Sequence, residues 1–184
     1  MSDQRILYTE EMVGASHPSK SDTLNRLALV EHNTDGTHKT GLKSSFSAHK
    51  NAVDQTPFTT ATWTQITFST AEWDTNGNFA SNAFTPPAGK YQLNFAVEFS
   101  KSNATGNLGA SIAIYKNGIL YKEGMSLNAA SYAAATEIGL VGSVLVDANG
   151  TDVFTVYAVF TFTSGIITVS GAVAETYFQG CRID

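Results

Sequence analysis

The stretch YQLNFAVEF, residues Tyr91–Phe99, decides how this sequence folds. Every second residue in it is large and apolar, and the residues between them are polar or small. Successive side chains of a strand point to opposite faces, so the pattern predicts a β-strand with one buried face. Pro86, Pro87 and Gly89 precede this stretch and indicate a turn that leads into the strand.

Similar strand signals recur along the rest of the chain. The sequence ATWTQITF (residues 61–68) alternates in the same way, and Asn76-Gly77 marks a turn after it. Asn117-Gly118 lies between two apolar runs and predicts a type I′ hairpin, because that turn needs positive φ at both central residues. Two further strands flank residues 147–150, and GIITVSG and TYFQGCRI supply the last ones. About eight to ten short strands separated by turns predict an antiparallel sandwich or jelly roll.

One of these strands, VFTVYAVFTF (residues 153–162), is apolar on both faces. A strand in an antiparallel sheet with one solvated face should alternate apolar with polar residues. We therefore expect the second row, Val153, Tyr157 and Val159, to be covered, and we predict that these residues contact neighbouring chains. The alternative is that the N-terminal segment or a long loop of the same chain covers them.

The composition argues against several classes of protein. Only 15% of the residues are charged, and the net charge is -5 with a pI near 5.3. Nucleic acids and anionic membranes attract clustered Lys and Arg, so neither is expected as a partner. Cys181 is the only cysteine, which excludes an intrachain disulfide and a multi-cysteine zinc site. Without a secretory leader pattern or an apolar run of about 18 residues, we expect synthesis in the cytoplasm and no membrane insertion.

The composition changes near residue 43. Residues 1–43 contain a single aromatic residue, Tyr8, whereas the other Phe, Trp and Tyr lie in residues 44–184. We therefore predict an N-terminal attachment segment over residues 1–43 and a β-rich head over residues 44–184. Within the segment, SKSDTLNRLALVEHN predicts a short helix of about two turns, which needs a partner surface because such helices are marginal in water.

The order of the strand motifs resembles the globular head domain of complement C1q, which belongs to the same superfamily as tumour necrosis factor. The resemblance rests on SSFSAHKN, FTPPAGKYQLNFAV, IYKNG, GSVLVDANGTDVFTVYAVF and TYFQGCRI, and it covers residues 44–184. It implies an all-β, antiparallel, ten-stranded jelly roll that assembles as a tight homotrimer. A closed ring of three matches different patches of neighbouring chains, and this would cover the second apolar row.

The N-terminal stretch SDTLNRLALVEHNTDGTHK resembles segments of bacteriophage tail-fibre and related virion proteins that lie upstream of a distal head domain. This resemblance implies that residues 1–43 attach the chain to other virion proteins. The chain contains no collagen-like Gly-x-y tract, so its trimer would not stand on the stalk that complement-type proteins use.

His32 and His38 are candidate ligands for a transition metal. Neutral imidazole binds first-row metals, and a threefold axis would present each histidine three times. This requires the linker to lie on the axis of the trimer, and the alternative is a pair of solvated histidines in a turn. His17 and His49 have no neighbours that indicate metal binding.

A second candidate metal site lies in WDTNGNF, where Asp74, Asn76 and Asn78 resemble the start of a calcium loop. Ca²⁺ takes oxygen ligands of this kind, but the glutamate that closes such a loop is missing. The turn at residues 147–152 is crowded with Asp and Asn in a similar way. Turn chemistry explains both places, since Asp and Asn close Asx turns. We therefore expect no cofactor, with Ca²⁺ or an axial transition metal as the alternative.

The sequence signals for ligand binding and catalysis are weaker than those for the fold. EGMSLNAASYAAAT (residues 123–136) is typical of a long loop, and loops carry binding function disproportionately, so Tyr121 and Tyr132 are candidates for stacking on a sugar. The sequence contains no nucleophile elbow, zinc-protease motif or phosphate-binding loop. Its few acidic residues give little support to the paired carboxylates of a glycan hydrolase. Cys181 has only Arg182 nearby to promote a thiolate, so we expect a packed, unreactive thiol.

These observations lead to one functional prediction. The chain is expected to be a non-enzymatic, homotrimeric virion protein that attaches to a host-surface glycan or protein, as the head of a bacteriophage tail fibre or receptor-binding protein. A capsid decoration or head-fibre protein is the alternative within this class. A secreted bacterial carbohydrate- or protein-binding module is the alternative from another class. The expected location is the virion, made in the host cytoplasm and acting outside the cell.

Overall fold

A computed structural model of the chain describes residues 44–102, 106–130 and 137–184. These residues form strands joined by turns. They include no helix that is long and apolar enough to cross a membrane. The strands are β1 (Ser45–His49), β2 (Thr64–Gln65), β3 (Thr70–Asp74), β4 (Phe79–Ala80), β5 (Ala83–Phe84), β6 (Gly89–Lys101), β7 (Leu108–Lys116), β8 (Ile119–Ala129), β9 (Ile138–Ala148), β10 (Phe154–Phe162), β11 (Ile167–Val169) and β12 (Tyr177–Arg182). The predicted N-terminal helix, His32, His38 and Tyr132 lie outside the described residues.

The strands form two six-stranded sheets in which the paired strands are antiparallel. The first sheet has the order β11-β6-β12-β1-β3, and β9 also pairs with β6. The second sheet has the order β4-β5-β10-β7-β8, and β2 also pairs with β10. The predicted antiparallel sandwich is confirmed. The described residues form twelve strands where ten were predicted, and three of the twelve, β2, β4 and β5, are pieces of two residues each.

The core lies between the two sheets and is rich in aromatic residues. The alternate side chains of β6 that begin at Tyr91 and end at Phe99 are at most 1% exposed, which confirms the buried face of YQLNFAVEF. Across the core, the Phe46 ring stacks on Phe84 with centroids 4.2 Å apart and meets Phe178 edge-on at 4.9 Å. Burial of each large apolar side chain contributes about 1.5–3 kcal/mol, so these residues supply most of the stability of the head.

The hairpin between β7 and β8 has the turn that its sequence predicts. Asn117 has a φ of 54° and Gly118 a φ of 79°, so both central residues are left-handed, as a type I′ turn requires. Asn117 also fixes this hairpin to the rest of the head, because its backbone N–H donates to the carbonyl of Val153 at 2.9 Å. The tip of the hairpin therefore lies against the turn that precedes β10.

The two sheets approach each other closely along one side of the sandwich, where β8 faces β9. Gly124 and Gly142 make this approach possible: a Cβ on Gly124 would lie 3.1 Å from the Cα of Gly142 and 3.1 Å from the Phe95 ring. Lysines complete the junction, because Lys122 Nζ donates to the carbonyl of Leu145 at 2.7 Å and Lys116 Nζ donates to that of Asp147 at 3.0 Å. Two carbonyls of the β9 edge, those of Leu145 and Asp147, thus accept hydrogen bonds within the chain.

Candidate functional surfaces

The predicted calcium loop is a turn that its own side chains close. Asp74 Oδ2 accepts a hydrogen bond from the Phe79 N–H at 2.7 Å, and Asp74 Oδ1 accepts one from Asn76 at 3.4 Å. Asn78 Nδ2 donates to Ser44 Oγ at 2.9 Å. Within the described residues, no group of three His, Cys, Asp or Glu is placed to hold a metal ion. Turn closure accounts for these three residues, and calcium binding at this loop stays a prediction.

Asp152 organises the second Asp- and Asn-rich turn. Its buried carboxylate accepts hydrogen bonds from Lys116 Nζ, Asn117 Nδ2 and the Asn149 N–H, each at 2.9 Å. The hydrogen bond from Lys116 is the main reason that the pKa of Asp152 is lowered, and the bond from Asn117 lowers it further. Because these donors come from two turns, the carboxylate joins the β7–β8 hairpin to the β9–β10 turn.

Lys50 is a buried cation with a structural role. Its ammonium donates to Thr67 Oγ1 at 3.0 Å, to the Thr67 carbonyl at 3.2 Å and to Gln55 Oε1 at 3.3 Å. Burial lowers its pKa from 10.5 to about 8, and the nearby carboxylate of Asp54 opposes this shift. Since its three protons are used inside the head, Lys50 holds the loop after β1 against the segment before β3.

The predicted interface row on β10 is partly covered within one chain. Val153, Tyr157 and Val159 are each half-buried. The Tyr157 ring stacks on Tyr115 with centroids 4.0 Å apart, and Tyr157 pairs with Gln65 of β2. Burial is the main reason that the pKa of Tyr115 is raised, and the electrostatic interaction with Tyr157 raises it further. Cover from β2 and β7 therefore accounts for part of the second apolar row, and its contact with other chains stays a prediction.

A more exposed apolar surface lies where β8 faces β9. Ile119 is 73% exposed, Val141 59% and Leu145 57%. We call this the edge surface, and its members are Ile119, Leu120, Tyr121, Met125, Val141 and Leu145. Contiguous apolar groups of this kind mark interaction sites on soluble domains. Of the residues in the edge surface, the sequence indicates only Tyr121 as a candidate. Local patterns predict a hairpin around Asn117-Gly118, but they give no sign that β8 lies at a sheet edge.

Tyr121, the described member of the two predicted sugar-binding tyrosines, belongs to this edge surface. It is 40% exposed, and the Nζ atoms of Lys122 and Lys116 lie 5.3 and 5.7 Å from its ring centroid. Two cations near one ring face leave less of that face for a neutral sugar. Sugar binding by Tyr121 stays a prediction. Tyr121 lies on β8, as the predicted hairpin requires, but β8 continues to Ala129, so the prediction of a loop is wrong for residues 123–129.

The outer face of the first sheet adjoins the edge surface and is more polar. Gln92 Nε2 donates to Asn94 Oδ1 and to Ser143 Oγ, both at 3.3 Å. A shallow depression of about 400 Å³ lies here, lined in part by Asn94, Val141, Tyr177 and Gln179. This face therefore combines hydrogen-bonding groups with one aromatic ring, and it meets the apolar edge surface along β9, where Val141 belongs to both.

Two further groups lie on the first sheet. Cys181 is exposed, so the expectation of a packed thiol is wrong. The reason is the alternation of β12, which directs Phe178 and Gly180 into the core and Cys181 outward. The second group is Glu98, whose pKa is raised. Burial is the main cause, and repulsion from Glu175 and Glu137 raises it further.

No protein-family model matches the chain, and no curated protein matches it. Among solved structures, the chain is similar to Eiger TNF from S. frugiperda, with a TM-score of 0.53 at 9% identity over 77% of this chain and 94% of that one. It is also similar to the globular domain of a zebrafish complement 1qA protein (TM-score 0.49, 15% identity, 77% and 98% covered) and to murine APRIL (0.49, 11%, 77% and 99%).

These similarities concern the fold. The Eiger comparison has the highest TM-score of the three, and together with the two antiparallel sheets it shows a jelly roll of the tumour necrosis factor type. The fold that the strand motifs predicted is confirmed. At 9% identity the comparison shows the fold alone, so function has to be argued from the surfaces described above.

Proposed function

We propose that the chain is a non-enzymatic, homotrimeric head module of a bacteriophage virion that attaches to the host surface. The observation that carries the proposal is the edge surface. A complete core already lies between the sheets, yet Ile119, Val141 and Leu145 are each more than half exposed beside it. Apolar area of this kind is stabilised when another chain covers it.

The chemistry of the two neighbouring surfaces supports a ring of chains. The edge surface is apolar and includes Val141 and Leu145 at the margin of the first sheet, whereas farther along the outer face of that sheet Asn94 and Gln179 line a depression with the Tyr177 ring. A contact between unlike patches is heterologous, and it closes into a ring when the rotation between copies allows. The resemblance to C1q heads, which form trimers, supports three copies.

The virion assignment rests on the N-terminal segment. Residues 1–43 resemble segments of tail-fibre and related virion proteins that lie upstream of a distal head domain. A head attached to other virion proteins through such a segment fits a receptor-binding position. The capsid decoration protein remains the alternative, because the same segment would serve attachment to a capsid.

The non-enzymatic assignment is supported by how the polar groups of the head are used. Asp152 accepts three hydrogen bonds that join two turns, and Asp74 closes the β3–β4 turn. Lys50 donates to groups of its own chain. Carboxylates and amines that hold turns are not free to exchange protons with a substrate.

The test combines location with adsorption. Gold-labelled antibody against the head is imaged on particles, and purified head is tested for its ability to compete with particles for host cells. The proposal predicts label at the tail tip and competition without release of sugar. Label on the capsid would favour decoration, absence from particles would overturn the virion assignment, and release of reducing sugar from host polysaccharide would identify an enzyme. Head carrying Leu145→Glu, which is expected to be monomeric, is the matched control and should compete less well.

A further inference from the structure

A trough runs along the outer face of the second sheet, above β7. The small residues Gly109 and Ser111 of β7 are partly exposed on this face, whereas Ala113 farther along the strand is buried. The strands on either side form the walls, with Val159 and Thr161 on β10 and Ser126 and Asn128 on β8. The part of the trough near Ser111 encloses about 430 Å³, which is within the size range of small-molecule sites.

The two walls differ in chemistry. The register places Val159 of β10 beside Ser111, and the next residue on that wall is Tyr157, whose ring is held by its stack on Tyr115. On the other wall, Ser126 lies beside Ser111, and Asn128 follows it. One wall is therefore apolar and the other offers exposed hydrogen-bonding groups.

The polar groups near Ser111 are uncharged, whereas Glu123 of β8 lies beside Ala113 at the other end. Ser111 Oγ and Ser126 Oγ lie 2.8 Å apart, and Asn107, Asn128 and Thr161 also line the space. Hydroxyl and amide groups both donate and accept hydrogen bonds. Among the described residues that line this space, none is Lys, Arg, Asp or Glu. Such a lining favours a neutral ligand with many hydroxyl groups over an ionic one, because a charged ligand would lose its hydration without gaining a partner.

We propose that the trough binds a neutral oligosaccharide. A pyranose ring has an apolar face of C–H groups and a rim of hydroxyls, and it would lie with that face toward Val159 and Tyr157 and its hydroxyls toward Ser126 and Asn128. Aromatic rings combine apolar area with fixed geometry, which suits this contact. The inference rests on the proposed function for the source of the sugar, a host-surface glycan, and assigns its binding to a site other than Tyr121.

The test measures binding of the full chain to a printed panel of neutral oligosaccharides, followed by titration with the soluble oligosaccharide that gives the strongest signal. Ser126→Arg fills the trough and is expected to lower affinity about tenfold or more. Asn128→Ala removes a hydrogen-bonding group and is expected to lower affinity about threefold to tenfold. Ala80→Arg adds the same charge at an exposed position of β4, at the far end of this sheet, and is expected to bind as the wild type does.

Several results would overturn the inference. They are the absence of oligosaccharide binding by the wild type, equal binding by the wild type and both trough variants, and binding of a host protein in place of sugar. Should Ser126→Arg fail to fold, Asn128→Ala decides the matter. Adsorption to host cells by a head that binds no oligosaccharide would overturn this inference alone, whereas absence from the virion would overturn the proposed function and leave the measured affinity for sugar unaffected.

Discussion

The edge surface and the second row of β10 are both apolar, yet the chain treats them differently. Tyr157 on β10 stacks on Tyr115 at 4.0 Å and is half-buried, whereas Leu145 on β9 is 57% exposed. The difference follows from position in the sheet: within the described residues β10 has strands on both sides, while β9 pairs only with β6 and β8 only with β7. Apolar residues on a central strand can be covered within one chain, and those along an edge need another chain.

The largest expected effect separates these two regions by one kind of substitution. Leu145→Glu would place a carboxylate in the proposed contact between chains, where it has no partner, and is expected to convert the trimer to single chains. Val159→Glu, on the half-buried row, is expected to keep the trimer. Native mass spectrometry distinguishes three chains from one chain of 19.6 kDa. The reverse pattern would assign the interface to Val153, Tyr157 and Val159, as the sequence predicted.

Gly142→Ala is expected to have the next largest effect, because Gly142 lies beneath the edge surface, where β8 and β9 approach each other. A Cβ at this position would overlap the Phe95 ring. Overpacking in a core typically costs about 1–3 kcal/mol, so urea unfolding should show a loss in this range. Gly139→Ala on the same strand meets only Glu98 Oε2 at 4.0 Å and should cost little. Equal losses for the two variants would contradict the described approach of β8 and β9.

Tyr157→Ala tests the covered region in the same way. The substitution removes the stack on Tyr115, and the lost stacking and burial are expected to lower the free energy of unfolding by about 1–3 kcal/mol. Tyr157→Phe keeps the ring pair and should stay within about 0.5 kcal/mol of the wild type. Both variants should remain trimeric by native mass. Dissociation of Tyr157→Ala would show that the row belongs to the contact between chains.

The pH dependence that Lys50 gives to stability is expected to be the smallest effect. It tests the fold of the head independently of trimer formation. The Lys50 ammonium has a folded pKa of about 8, which lies below the ordinary 10.5, so its contribution to stability is lost as pH falls through 8 and rises between pH 8 and 10.5. The urea midpoint of the wild type should therefore rise from pH 7.5 to 9.5, and Lys50→Met should remove that rise. The same rise is expected in the monomeric Leu145→Glu variant. A rise that persists in Lys50→Met would assign it to another group.

The fold could be predicted where neighbours in sequence carry the signal. Alternation in Tyr91–Phe99 and the Asn117-Gly118 dipeptide depend on residues close along the chain, and both appear in the structure as expected. The candidate sites depend on contacts between distant residues. The ring centroids of Trp63 and Tyr115 lie 5.9 Å apart. The hydroxyls of Ser111 and Ser126 meet beside an irregularity in the pairing of β7 and β8. No periodic pattern in the sequence encodes either contact.

Position in the sheet was the other quantity that sequence could not provide. Ile119, Leu120 and Met125 have the same apolar character as core residues, and only the strand order shows that β8 has a free edge. The exposed thiol of Cys181 has a similar origin, because the facing of β12 is set by its pairing with β6 and β1. Local composition predicts a strand, whereas pairing decides what that strand exposes.

The central claim is that one copy of this head exposes more apolar edge than it can cover and that three copies close around it. Sedimentation equilibrium of the wild-type chain over a wide dilution series tests this claim most directly. The account predicts a mass of three times 19.6 kDa that persists on dilution. A folded single chain of 19.6 kDa at every concentration would contradict it.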